Sequence, residues 1–219
     1  MTMTHSAPNH HTCSVTLLGN LVAVPEVRYL ANPAIAVTEI TLATTHKWQD
    51  RKTKELKEWT SFHHVKVVGD LVERCLTFAK KGELLLIQGY IANNKSTGDD
   101  IIHATSLERF AKGYSQSINQ VIVSGVLSSP VKFMMTEHNR PFANFELTIE
   151  HFALSEQSNH QVAHQVKRQI NLWGNAANYL NNHAAKEQTI IIEGRLAYAN
   201  DQQKSQFIEA NSCHLVNLA

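Results

Sequence analysis

A tryptophan set among basic side chains is the part of this sequence best suited to bind a ligand. Trp48 lies in the stretch KWQDRKTK, residues 47–54, and the basic residues continue to Lys57. Core packing does not explain a large ring in so polar a stretch. A ring beside cations is what a single strand of nucleic acid requires, because bases stack on the ring and phosphates pair with the cations. The stretch therefore predicts a single-strand binding site around Trp48, Lys47, Arg51, Lys52 and Lys54.

The segments around this stretch occur twice along the chain. VTLLG at 15–19 is matched by VIVSG at 121–125, and LLIQG at 85–89 by IIIEG at 190–194. Gly69 and Gly89 are 20 residues apart, and so are Gly174 and Gly194. Matched spacing over a half-chain predicts two copies of one small domain.

Apolar alternation predicts five strands in each copy, with a short helix between the third and fourth. The helices are expected at residues 70–80, with Asp70 as the N-cap, and at 175–183. This order predicts an all-β fold of two tandem OB-fold five-stranded barrels, with one short helix per domain. The alternatives are an unrelated small barrel and a β-sandwich, and a helix at the same place in both copies disfavours the sandwich. The predicted divisions are a disordered tail (1–12), a first domain (13–112), a linker (113–118) and a second domain (119–219).

Composition excludes several classes of function. The net charge is +1, so a nucleic-acid site must be a local patch. No run of about 20 apolar residues suits a membrane span, and the first residues do not resemble a secretory signal. The three cysteines form no CxxC pair, which argues against a disulfide framework or a zinc site and favours a reducing cytoplasm. No catalytic motif is found, so we expect no enzyme and no cofactor or metal; a metal-dependent enzyme using the 13 histidines is the least favoured alternative.

The first copy resembles the bacterial single-stranded DNA-binding protein (SSB) family over nearly all of residues 13–111. The resemblance is carried by GNL at 19–21, PEVRY at 25–29, ITLAT at 40–44 followed by Trp48, FHHV at 62–65, KKG at 80–82 and IQG at 87–89. The second copy resembles the primosomal replication protein N (PriB), itself an SSB-like OB-fold, through VIVSG at 121–125 and IEGR at 192–195. A divergent second SSB copy explains it nearly as well.

The resemblance implies further site residues. Phe62 stands where the family carries a second stacking ring, with Trp59 near it, and His63 matches a position of subunit contacts. The family has another ring where Val68 stands; in the second copy Trp173 occupies that place.

The weaker candidates are rings at strand ends and isolated cations that could meet phosphate: Phe152, Tyr198, Arg28, Lys66, Lys95, Lys167, Arg168 and Arg195.

Two functions remain open from the sequence. The first is a non-catalytic single-stranded DNA-binding protein that coats or handles exposed strands in replication, recombination or repair. SSB proteins assemble four OB-folds, so a homodimer is expected, located in the bacterial cytoplasm with the nucleoid. The alternative is a primosome-type adaptor, whose second barrel mainly binds replication-restart proteins. The acidic tail that usually ends SSB proteins is not found after residue 216, which favours the adaptor.

Overall fold

Most of the chain forms β-strands, because apolar side chains alternate with polar ones over long stretches. The computed structural model describes residues 11–50, 53–93, 100–110, 116–154, 160–200 and 205–216. Its strands are β1 (Cys13–Leu21), β2 (Arg28–Leu30), β3 (Ile35–Gln49), β4 (Leu56–Val68), β5 (Leu84–Asn93), β6 (Asp100–Phe110), β7 (Ile118–Leu127), β8 (Lys132–Met135), β9 (Pro141–Leu154), β10 (Gln161–Trp173), β11 (Thr189–Tyr198) and β12 (Gln206–Val216). A short π-helix (Val72–Leu76) follows β4, and an α-helix, α1 (Asn175–His183), follows β10.

Strand pairing closes each half into a five-stranded barrel. In the first half β1 pairs with β3 and β5, and parallel pairing of β4 with β6 completes the ring β1-β3-β4-β6-β5. The second half repeats this as β7-β9-β10-β12-β11, with β10 and β12 parallel. The inward side chains are buried and apolar, among them Leu17, Leu42, Ile87, Val123, Leu147 and Ile192. This is the tandem OB-fold, and it confirms the predicted fold class.

A direct strand pairing joins the two barrels. β1 and β7 run antiparallel in register from Cys13 opposite Val123 to Leu18 opposite Ile118. The described strands therefore form one 12-stranded sheet. The barrels thus share a continuous junction along β1 and β7.

The repeated glycines allow close approach between neighbouring strands. A Cβ atom on Gly89 would lie 2.1 Å from the carbonyl oxygen of His103, and one on Gly194 would lie 2.3 Å from that of Glu209. Both glycines follow a bulge in the pairing of β5 with β6 and of β11 with β12. Any other residue would push the paired strand away, which explains why the same spacing recurs in both halves.

The structure corrects some details of the local prediction. Each barrel carries an additional short edge strand, β2 or β8, that the alternation pattern did not predict. The first helix is a single π-helical turn rather than a helix over residues 70–80. Asp70 is not its N-cap; its carboxylate lies 2.6 Å from Nε of Arg74. The second helix has the predicted bounds.

The predicted domain divisions remain predictions. Residues 1–10 of the tail and 113–115 of the linker lie outside the described residues, as do Arg51, Lys52 and Lys95. The three cysteines are free and half-buried. In the described part of the chain, no helix is both long and apolar enough to cross a membrane.

Candidate nucleic-acid interface

The hairpin of β3 and β4 extends beyond the first barrel and carries the predicted aromatic residues on its two faces. Even-numbered residues of β3 from Ala36 to Thr44 point into the barrel, so Trp48 continues on that face. Trp59 shares a face with the buried His63, whereas Phe62 points the other way. All three rings are exposed, Trp48 by 40%, Trp59 by 61% and Phe62 by 48%. The hairpin thus offers stacking surfaces on both sides, with Trp48 and Trp59 together.

The cations of the hairpin are partly neutralised by nearby carboxylates. Nζ of Lys57 lies 2.7 Å from the Asp50 carboxylate, and Nζ of Lys47 lies 3.8 Å from that of Glu58. Lys54 is exposed in the turn between the strands, at a φ of 61°. These pairs are exposed and weak, so phosphates can compete for the lysines.

The remaining cations of the first barrel lie away from the hairpin tip. Arg28 is on the edge strand β2, 3.6 Å from the equally exposed Glu26. Lys66 is half-buried on β4, opposite Glu39 of β3. Both share the outer surface with Phe62 rather than the Trp48 face of the hairpin.

The second barrel carries its predicted ring, Trp173, against two neighbouring side chains. The Trp173 ring packs at 4.4 Å between centroids on Phe142, and the Arg140 guanidinium lies 5.6 Å from its centroid. Lys167 is exposed and lies 3.8 Å from the Glu146 carboxylate. Phe152 is exposed near the end of β9. Trp173 remains 38% exposed, so one part of its ring can still receive a base.

Arg168 lies at the barrel junction, which corrects its expected place on the surface. It is 3% exposed, and its guanidinium lies 2.8 Å from the Asp100 carboxylate of the first barrel. It also donates to the carbonyl oxygen of Lys167 at 2.6 Å and to Oδ1 of Asn93 at 3.5 Å. Burial lowers the pKa of Arg168, and Asp100 opposes that shift. A buried, paired guanidinium cannot reach a phosphate outside the protein, so Arg168 does not belong to the interface.

Tyr198 and His63 meet across the same junction. The Tyr198 hydroxyl is 3.0 Å from Nδ1 of His63 and accepts a hydrogen bond from Nε2 of Gln206 at 3.1 Å. Nε2 of His63 is 2.8 Å from Oγ1 of Thr44. Burial raises the pKa of Tyr198 and lowers that of His63 to about 4. Tyr198 is therefore engaged in the junction rather than offered as a platform, and His63 contacts the other barrel of its own chain.

A groove of about 600 Å³ lies between the barrels beside the hairpin. We call it the junction groove. Its first-barrel wall includes His46, Trp48 and Trp59, and its second-barrel wall includes Arg195 and Phe207. The rings of His46 and Trp48 stack 5.7 Å apart at 19°. Two hydrogen bonds at 3.0 and 2.6 Å hold the Arg195 guanidinium on one carboxylate oxygen of Glu209.

The sequence prediction missed His46 and Phe207. His46 is two residues from Trp48 on the same face, and alternation along β3 could have identified it. Phe207 is at the start of β12, and no local signal places it in the same groove as Trp59. The pairing of β1 with β7 brings the two walls together. Among the described residues, no group of three His, Cys, Asp or Glu side chains is arranged to hold a metal.

Two joined OB-fold barrels with exposed rings along one hairpin define the class of this protein. The chain belongs to the single-strand binding protein family, whose model matches residues 12–112 and 118–214. The single-stranded DNA-binding protein from Thermus aquaticus has a similar structure. It is 19% identical, covers 96% of this chain and 95% of its own, and gives a TM-score of 0.76. A deletion variant of the same protein is 20% identical, covers 96% of this chain and 97% of its own, and gives a TM-score of 0.77. At this identity the likeness shows the shared tandem fold.

Proposed function

We propose that this protein is a non-catalytic single-stranded DNA-binding protein that coats or handles exposed strands in replication, recombination or repair. The observation that carries the proposal is the pair of exposed rings, Trp48 and Trp59, on a lysine-bearing hairpin that projects from an OB-fold barrel. Membership of the single-strand binding protein family supports it. This function would place the protein in the bacterial cytoplasm, with the nucleoid.

Binding would combine stacking with phosphate contacts. In the first barrel, bases would stack on Trp48 and Trp59 on one face of the hairpin and on Phe62 on the other. In the second barrel they would stack on the open part of Trp173. Lys47, Lys54 and Lys66 would meet phosphates, with Arg28 and Lys167 at the edges. The net charge of only +1 makes this attraction local to the hairpin rather than spread over the molecule. The expected strand preference comes from the rings, because a base in a duplex has no free face to stack.

Fluorescence anisotropy of a labelled oligo-dT tests this function, with a duplex of equal length as the control. We expect binding to the single strand that weakens as salt rises, because the release of counterions from the phosphates becomes less favourable at higher salt. We expect much weaker binding to the duplex. Equal affinity for both, or no binding to either, would contradict the proposal.

The outer face of the junction sheet suits pairing with a second copy. β1 and its neighbours turn Leu18, Leu86 and Ile118 to this side in register, and Ile122 and Ile191 continue the surface. The side chains of Ile118, Ile122 and Ile191 are each at least 37% exposed. We propose that two chains pack these faces together, giving a homodimer with four OB-folds. Each chain would contribute the same surface, as a two-fold interface requires.

The primosome-type adaptor remains a second candidate for the second barrel. It is favoured by the contacts that already cover part of Trp173, from Phe142 and Arg140, and by the pairing of Lys167 with Glu146. In this case the second barrel would bind restart proteins rather than DNA. Replacement of Trp173 by Ala in the full chain separates the two: unchanged oligo-dT affinity would favour the adaptor, and a weaker affinity would favour DNA binding by both barrels.

A further inference from the structure

The junction between the barrels has two ends that are equivalent by the internal repeat. Tyr90 follows Gly89 and pairs with His103, just as Arg195 follows Gly194 and pairs with Glu209. One end of the junction therefore has a pair of rings where the other has an ion pair.

The hairpins show the same correspondence. Asn20 of β1 pairs with Ala43, and Val126 of β7 pairs with Thr148. Three residues beyond Ala43 is His46, which pairs with Trp59; three residues beyond Thr148 is His151, which pairs with His164. The junction groove and the region around His151 are thus the same place in the two halves of the repeat.

Rings fill one end of the junction. Tyr90 stacks on His103 with centroids 5.1 Å apart and planes at 6°, and contacts the rings of His151 and His164 at 5.0 and 5.2 Å. His151 and His164 stack at 5.3 Å and 14°. Nε2 of His151 also reaches the Ile91 carbonyl oxygen at 3.2 Å. Four planar rings from both barrels therefore pack into the space between them.

The other end is open because its side chains are different. The Arg195 guanidinium is held on the Glu209 carboxylate of its own barrel, whereas Tyr90 contacts rings of the other barrel. The result is the junction groove of about 600 Å³, walled by Trp59 and Trp48 on one side and Phe207 on the other. The Arg195 and Glu209 charges cancel, so these described lining residues offer a phosphate little attraction, whereas the rings offer stacking surfaces.

We propose that the junction groove binds a nucleobase of the single strand, so that one strand contacts both barrels of one chain. The base occupies the space that a planar ring fills at the equivalent end, and its faces meet Trp59 and Phe207. This inference rests on the proposed function and specifies where the strand crosses from one barrel to the other. The phosphates on either side stay outside the groove, towards the hairpin lysines.

Photocrosslinking maps the strand directly in the full-length protein. An oligo-dT carrying a single 5-iodouracil is bound, irradiated and digested, and the linked residues are identified by tandem mass spectrometry, because Trp59 and Phe62 lie in the same tryptic peptide. We expect iodouracil at one and the same position to link to Trp59 and to Phe207. Tight binding with links confined to other residues, such as Phe62 and Trp173, would overturn the groove while leaving the proposed function intact.

A groove-filling variant gives a second test. Ala197 lines the groove on β11, and Ala197→Trp places a ring where the base should be. We expect it to weaken oligo-dT binding about 5- to 150-fold, the loss of roughly one stacked base. The control Asn182→Trp, exposed on α1, should bind within about twofold of wild type.

Circular dichroism shows whether Ala197→Trp is folded. If it is not folded, the crosslinks formed by the wild-type protein test the junction groove instead. Wild-type affinity in a folded Ala197→Trp protein would overturn the groove. Absence of binding by the wild type itself would overturn the proposed function and this inference with it.

Discussion

Acidification should weaken the fold through the histidine buried between the barrels. Burial lowers the pKa of His63 from 6.5 to about 4, so the folded protein resists a proton that the unfolded chain accepts. Its contribution is therefore complete above pH 6.5 and is lost as the pH falls from 6.5 towards 4. Between pH 8 and pH 5 this linkage lowers the free energy of unfolding by about 2 kcal/mol for His63 alone. Burial also lowers the pKa of His103 and His151, so the wild type should lose more.

Urea unfolding at pH 8 and pH 5 measures this effect in the wild type and in His63→Gln. The variant cannot take up the proton, so its loss between the two pH values should be smaller by about 2 kcal/mol, whatever its stability at pH 8. The control His138→Gln, in the exposed turn between β8 and β9, should lose as much as the wild type. An identical loss in His63→Gln and the wild type would refute this reasoning.

Two other predictions concern the barrel junction and the assembly. Arg168→Met removes the cation paired with Asp100 and should lower the free energy of unfolding by about 3 kcal/mol, whereas Arg28→Met, at an exposed pair, should change it by less than about 1 kcal/mol; equal losses in urea unfolding would contradict the structural role of Arg168. Light scattering should give twice the chain mass of 24.6 kDa for the wild type. Ile122→Lys, on the proposed dimer face, should give 24.6 kDa, and the control Phe78→Lys should stay a dimer. A monomeric wild type would contradict the proposed dimer.

The fold was predictable because its signals are local and repeated. Alternation marked the long strands, and the glycines that admit a neighbouring strand, such as Gly89 and Gly194, set the spacing. Short edge strands such as β2 and the single π-helical turn were missed because so few residues leave no periodic pattern. The local sequence suited a longer helix at residues 70–80, but the helix ends after a single turn.

The site was predictable only where one segment carries it. Trp48 was recognisable because its own neighbours are basic and polar, and it is exposed as expected. Arg168 and Tyr198 have the residue types of a surface site, yet Arg168 is buried and Tyr198 half-buried against a barrel that lies far away in sequence. Their environment depends on the pairing of β1 with β7, which no pattern in either strand reveals. The junction groove has the same origin.

The most direct test of the central claim is a titration of the protein with oligo-dT at two salt concentrations, followed by tryptophan fluorescence. We expect quenching that weakens at the higher salt, because both stacking and phosphate contacts contribute. In Trp48→Ala the affinity should fall about 5- to 150-fold, the range for losing one stacked base in single-strand binding proteins. Phe78→Ala, an exposed ring 80% open to solvent and outside the hairpin, should bind as the wild type does. No quenching by the folded wild-type protein, or wild-type affinity in Trp48→Ala, would contradict the account.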